Sequence, residues 1–170
     1  YNEAGILMST VGTNPKVTQS GYKNVFRIVA SDSQIGANMA TYAVKELKAK
    51  SAGVIDDRTA FGQGVAEEFA KQAKALGLKL VGQEYTTDKA TDFNTILTNM
   101  KSKNADVIFF GGYAPQAAPM TRQMKQLGIK AKLTAQFFVF HDAQQAGKTG
   151  AATLASDDRR VARLWPRKKP

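Results

Sequence analysis

The 170-residue sequence predicts an α/β fold, a three-layer Rossmann-like domain built on a parallel sheet. Three observations predict it. Short apolar runs alternate with segments of roughly ten to fifteen residues whose apolar positions fall on one helical face. One run, Asp106 to Phe110, is apolar at every position after the aspartate, as in a strand covered on both sides. Glycines stop two of the helical segments, at Gly77 and Gly128. Strands separated by helices close into a parallel sheet with helices on both faces.

The elements follow in order. Ile6 to Met8 is a short apolar run, ended by a polar stretch containing Gly12 and Pro15. Val25 to Val29 has the period of a strand. Asp32 or Ser33 then offers a cap for a helix reaching about Lys50, with Ile35, Met39, Ala43 and Leu47 on one face. Gly53 to Asp56 is a short buried strand. The next helix spans Gly64 to Leu76 on a stripe of Val65, Phe69, Ala73 and Leu76, and Leu78 to Tyr85 is the next strand. Phe93, Ile96, Leu97 and Met100 mark a helix, as do Ala117, Met120, Met124 and Leu127; Ala131 to Thr134 opens one more strand. Beyond 134 no apolar period is sustained, and residues 135–170 read as an irregular tail. Within it Phe137 to Phe140 would seek a sheet edge.

Composition narrows the function classes. No run of about 18 apolar residues could form a membrane-spanning helix. With no cysteine, disulfides and thiolate metal sites are excluded. His141 is the single histidine, it lies in the tail, and no G-x-S-x-G turn accompanies it, so catalytic and metal roles find no support. The Ala146 to Thr149 segment resembles the end of a phosphate-binding loop, but Asp142 stands where that loop requires glycine. No complete G-x-G-x-x-G is present, so a Rossmann-like nucleotide-dependent enzyme is a weak alternative, and no cofactor is expected. Net charge is +10, of which residues 135–170 hold seven basic residues against three aspartates. The other charges appear spread along helices as a solvated basic face, and no nucleic-acid partner is expected.

In a parallel sheet, ligands sit beyond the carboxyl ends of the strands. The loops to inspect are therefore residues 56–64 and 111–115. Asp56 and Asp57 close a strand, either as solvated acids or beside a binding loop that presents Phe61 at a helix N-terminus. Gly111 and Gly112 let a ligand or another backbone approach closely, and Tyr113 offers an aromatic face with a hydroxyl. Both aromatics follow short apolar strands, which places Phe61 and Tyr113 at one edge of the sheet.

Six segments, in this order and spacing, resemble the branched-chain amino-acid (Leu/Ile/Val) periplasmic binding proteins of ABC transporters: EAGILMSTVGTNPKVT, KNVFRIVASD, VIDDRTAFGQG, DFNTIL, DVIFFGGYAPQAA and RQMKQLG. The resemblance implies a type I fold of two α/β lobes that close on an amino acid. It divides this chain into a lobe-one remnant over residues 1–24, a lobe-two domain over 25–134 with the first hinge crossing in 25–29, and an aberrant tail over 135–170. By the resemblance Val11, Gly12 and Thr13 match the lobe-one loop that grips the ligand's carboxylate and ammonium, and Phe61 and Tyr113 match the lobe-two aromatics. Phe61 stands where tyrosine is commoner and lacks its hydroxyl. The family's acidic turn after Thr134, which pairs with the ammonium, is replaced by Ala135 and Gln136, as a reading-frame shift would produce. The resemblance also implies periplasmic localisation, a membrane permease partner, no enzymatic activity, and a chain beginning within a longer protein. A lobe without its partner is expected to bind poorly and to form a homodimer through exposed or exchanged segments. A ligand-sensing domain of a receptor or regulator would share the fold.

Overall fold

The computed structural model describes residues 2–135 and the backbone of Phe138–Phe140. The described residues form two sheets. A five-stranded sheet has the order β4-β3-β5-β6-β7, with β3 Ser51–Asp56, β4 Lys79–Tyr85, β5 Val107–Gly111, β6 Lys132–Ala135 and β7 Phe138–Phe140. Strands β3 to β6 pair in parallel; β7 returns antiparallel along β6. The edge-seeking segment thus adds to its own chain's sheet, so the sheet is parallel except for this last strand. A separate pair, β1 Met8–Thr10 and β2 Val25–Arg27, runs in parallel register. The short helix α1, Lys16–Gln19, joins them across the stretch that the sequence shows only as polar.

Burial explains the layers. In β5 alternate residues feed opposite cores: Val107 and Phe109 join one, Ile108 and Phe110 the other. The first core is roofed by α2, Asp32–Lys45, and α3, Ala60–Ala75. The second is roofed by α4, Asn94–Ser102, and α5, Ala114–Gln126. All five residues of β5 are buried, as its continuous apolar run requires. Helices α2 and α3 meet closely at Gly36, where a Cβ would lie 2.5 Å from the backbone nitrogen of Phe69.

Helix ends correct the expected boundaries. Helix α2 is capped by Ser31 rather than by Asp32 or Ser33: the Gln34 amide donates to the Ser31 hydroxyl at 3.3 Å, and the Ser31 amide donates to Gln34 Oε1 at 2.9 Å. This reciprocal capping box satisfies two otherwise unpaired N–H groups. The helix stops at Lys45, earlier than expected, and Lys48 turns the chain at φ 54. Helix α3 begins four residues before Gly64, capped by Thr59, so Phe61 lies in its first turn. The last turns of α2 to α5 carry Lys45, Lys74, Lys101 and Lys125, cations at the negative ends of the helix dipoles.

Side chains complete the joints between elements. The Asp106 carboxylate accepts from the Lys50 and Ser51 amides at 2.8 and 2.9 Å and from the Ser51 hydroxyl at 3.0 Å, locking the start of β5 to the start of β3. The Lys50 amide foremost holds this carboxyl below its ordinary 3.8.

Candidate functional site

The candidate site is built at the carboxyl edge of the sheet, where Asp56 of β3 pairs in register with Gly111 of β5. Each strand leads directly into a helix, and each helix start carries an aromatic. Phe61 sits in the first turn of α3, and Tyr113 is the residue preceding α5. Their ring centroids are 5.2 Å apart with planes tilted by 37°. Two residues 52 positions apart are thus brought into ring contact, at the edge where the sequence placed them both. Phe61 is half-buried, while Tyr113 is 48 % exposed.

The glycines serve this meeting of backbones. A Cβ on Gly111 would lie 2.3 Å from the Gly62 carbonyl oxygen, and one on Gly62 would lie 2.6 Å from the Gly111 carbonyl oxygen. Of the two partners allowed by the sequence, ligand or backbone, it is the α3 backbone that approaches Gly111. Gly62 and Gly64 lie inside the helix rather than in a turn.

Asp56 and Asp57 are not solvated: each is only 2 % exposed. Asp56 Oδ1 accepts from the Arg58 amide at 3.0 Å, and Asp57 Oδ1 accepts from the Thr59 amide at 3.0 Å and its hydroxyl at 2.6 Å. They shape the turn between β3 and α3. Within it Arg58 takes φ 62, and its guanidinium stacks 3.5 Å above the Tyr85 ring at the end of β4.

The loop formed by Val11, Gly12 and Thr13 follows β1. Val11 is exposed; the Gly12 amide donates to Thr10 Oγ1 at 2.9 Å, and the Thr13 carbonyl accepts from the Asp32 amide at 2.8 Å. This loop is therefore tied to the start of α2, while Phe61 and Tyr113 are tied to each other. Asp32 links the two regions. Its side chain faces α3, where a Cβ on Gly64 would lie 2.8 Å from Asp32 Oδ2.

Asp32 is a feature the sequence does not reveal beyond a capping residue. It is 1 % exposed, and neither carboxylate oxygen completes a hydrogen bond. Burial pushes its carboxyl above the ordinary 3.8; the Thr13 hydroxyl and Arg27 oppose the shift, and Glu68 adds to it. The raised value means that the folded state carries a penalty for the charged form. That penalty is absent below pH 3.8, where both states are protonated, grows as pH rises through the folded value, and then stays constant. Asp32→Asn should therefore raise the melting temperature at pH 7 and leave it nearly unchanged at about pH 3. Thermal melts of both proteins across this range check it; a variant less stable at pH 7 would show that the charged carboxylate is favourable where it lies.

Two glutamines of α5 also escape the sequence pattern. Gln123 Oε1 accepts from the Phe93 amide at 2.6 Å while its Nε2 donates to the Thr91 carbonyl at 3.0 Å, and Gln116 Nε2 donates to the Asp88 carbonyl. They fasten the 88–93 segment beside the carboxyl edge. Among the described residues no group of three potential metal ligands occurs. His141 and the Ala146 to Thr149 segment lie outside the described residues. The edge offers an aromatic pair, a phenol and turn-forming backbone, a surface that can hold an apolar group and one hydrogen bond.

Comparison with known proteins bears on the family and the fold. The family model for periplasmic binding proteins matches residues 1–157, and the chain belongs to that family. The match runs past residue 128, where the six segments end, and past residue 134, the expected end of the lobe-two domain. An amino acid binding protein of Pseudomonas aeruginosa is 41 % identical over 133 residues, covering 78 % of this chain and 36 % of the relative. A leucine-, isoleucine-, valine-, threonine- and alanine-binding protein of the same species is 32 % identical over 158 residues, covering 92 % of this chain and 40 % of its own length. The crystal structure of a leucine-binding protein from Thermotoga maritima superposes with a TM-score of 0.72 at 34 % identity, covering 79 % of this chain and 38 % of that one. The chain thus spans about two fifths of the length of these relatives. The resemblance carried by the six segments and the α/β class are both borne out.

Proposed function

We propose that the chain supplies part of the solute-binding component of an ABC transporter, working in the periplasm and holding a branched-chain or related amino acid, with no reaction catalysed. The observation that carries this reading is the contact between Phe61 and Tyr113 at the carboxyl edge. An aromatic pair there can cover an aliphatic side chain, and the names of the similar proteins support an amino acid as the ligand. In this reading residues 1–24 come from lobe one and contribute Val11, Gly12 and Thr13, residues 25–134 form lobe two, and residues 135–170 are an aberrant tail. The pairing of β2 with β1, outside the main sheet, supports a boundary near the second of these strands. The exposed apolar residues Leu7, Val11, Phe26 and Ile28 around that pair suit coverage by the rest of a two-lobed clamp, or by a second copy of this chain.

Binding by this chain alone should be weak. A buried ammonium without its acidic partner forfeits a charge-assisted hydrogen bond of about 1.5–3 kcal/mol. Calorimetry with leucine, isoleucine and valine is expected to give dissociation constants above the micromolar range. Amide shifts at Phe61 and Tyr113 should nevertheless respond to millimolar leucine and lose that response in Tyr113→Ala. Micromolar affinity would sink the impairment; unmoved shifts at both residues would sink the site.

A further inference from the structure

The lysines that appear scattered in the sequence are gathered by the fold. In a parallel α/β layer every helix ends, and every following strand begins, at the same edge of the sheet, here the amino edge. The four last-turn lysines already stand there. Six more, Lys48, Lys50, Lys79, Lys103, Lys130 and Lys132, occupy the turns and strand starts beside them, and all are exposed. The main-chain bonds from the Lys79 amide to the Lys50 carbonyl and from the Lys132 amide to the Asp106 carbonyl hold neighbouring strand starts together. Against these ten lysines the described residues of the same edge include two acids, Glu46 and Asp106, and the Asp106 carboxylate is already engaged by three donors. Helix dipoles account for the last-turn four; the other six lie outside the helices.

The kind of charge narrows the partner. Among the described residues the pole holds lysine and no arginine, since Arg27, Arg58 and Arg122 lie in β2, in the β3–α3 turn and midway along α5. Arginine's planar fork is what grips individual phosphates or base edges bidentately. The exposed aromatics among the described residues, Tyr22, Phe26, Tyr85 and Tyr113, lie near β2 or at the carboxyl edge, so none of them gives the pole a stacking platform for single-stranded nucleic acid. Flexible, strongly hydrated point charges spread over one face suit a diffuse sheet of negative charge. We propose that the amino-edge pole docks on the surface of an anionic lipid bilayer, held by charge alone. Docked so, the chain turns its carboxyl edge, with Phe61 and Tyr113, away from the lipid. The inference does not depend on which solute is bound there.

Sedimentation with vesicles tests it. The 170-residue chain should bind vesicles containing about one third phosphatidylglycerol, should ignore pure phosphatidylcholine, and should release as salt shortens the screening length. A surface lysine contributes about a fivefold gain in partitioning at low salt. The quadruple variant Lys50→Gln, Lys79→Gln, Lys103→Gln and Lys132→Gln should therefore bind at least ~10-fold more weakly. A control of equal charge, Lys16→Gln, Lys23→Gln, Lys71→Gln and Lys89→Gln, should lose much less, with circular dichroism melts verifying that both fold. Equal losses in the two variants would overturn the proposal, as would absence of vesicle binding by the parent chain. Tighter, pole-dependent binding of a single-stranded oligonucleotide would overturn it in favour of nucleic acid. Any of these failures leaves the leucine titration untouched, because its readouts lie at the opposite edge.

Discussion

Phe109→Ala is expected to cost about 3–5 kcal/mol of folding stability. Phe109 is fully buried in β5, between β3 and β6, and its ring stacks on Phe69 of α3 with centroids 4.2 Å apart and planes 5° from parallel. Truncation leaves a ring-sized cavity where the sheet meets α3 and strips one face of Phe69 of its partner. The neighbours cannot close it, because α2 already packs against α3 at Gly36 with no room for a methyl group. Set against a net stability of about 5–15 kcal/mol for an ordinary domain, such a loss brings the protein near unfolding at room temperature. Urea titration should show a lower midpoint with an unchanged slope. Phe109→Leu, which keeps most of the volume, should cost much less. A loss below about 1.5 kcal/mol for the alanine variant would mean that the ring stack contributes little in solution.

The same residues show how much of the fold was legible in the sequence. Phe109 and Phe110 lie in a run with no polar break, and Phe69 lies on a stripe of period four; both signals are local, and both cores follow from them. The carboxyl-edge placement of Phe61 and Tyr113 was legible for the same reason, because consecutive β-α units in a parallel sheet put their strand-to-helix junctions on one side. What escaped is set by distant partners. Val25–Arg27 has a strand's composition, but periodicity does not tell which strand it joins, and it pairs with β1 rather than with the main sheet. Ser31 outcompetes Asp32 as a cap because Gln34 can return the hydrogen bond. Asp56 and Asp57 look like solvated acids until the β3–α3 turn folds its own amides onto them. Gln116 and Gln123 look like surface polar residues of α5, yet their partners lie about 30 residues away in sequence. The lysine pole was hidden too, since a charge at each helix end becomes a patch only when the helices align.

Gly62→Ala is the variant whose predicted sign departs most from intuition. Alanine in a helix interior is ordinarily favoured over glycine by about 0.5–1 kcal/mol, so propensity alone predicts a more stable protein. The structure predicts the reverse. The added methyl carbon would lie 2.1 Å from Asp57 Oδ1 and 2.6 Å from the Gly111 carbonyl oxygen. Asp57 cannot swing away cheaply, because Oδ1 holds the Thr59 amide and hydroxyl that start α3, and Gly111 is fixed by its ladder with β3. Either the first turn of α3 lifts from the sheet or the β3–α3 turn opens. Forcing such a contact costs about 1–3 kcal/mol, enough to outweigh the propensity gain. The displacement also reaches the candidate site, since Phe61 is the residue before Gly62 and its 5.2 Å contact with Tyr113 depends on that turn lying flat. The expected result is a lower urea midpoint together with weakened proton contacts between the Phe61 and Tyr113 rings in nuclear magnetic resonance spectra. A stabilised Gly62→Ala protein with the ring contact intact would show that α3 does not sit as closely on Gly111 as described, and would remove the backbone meeting that brings the two aromatics together.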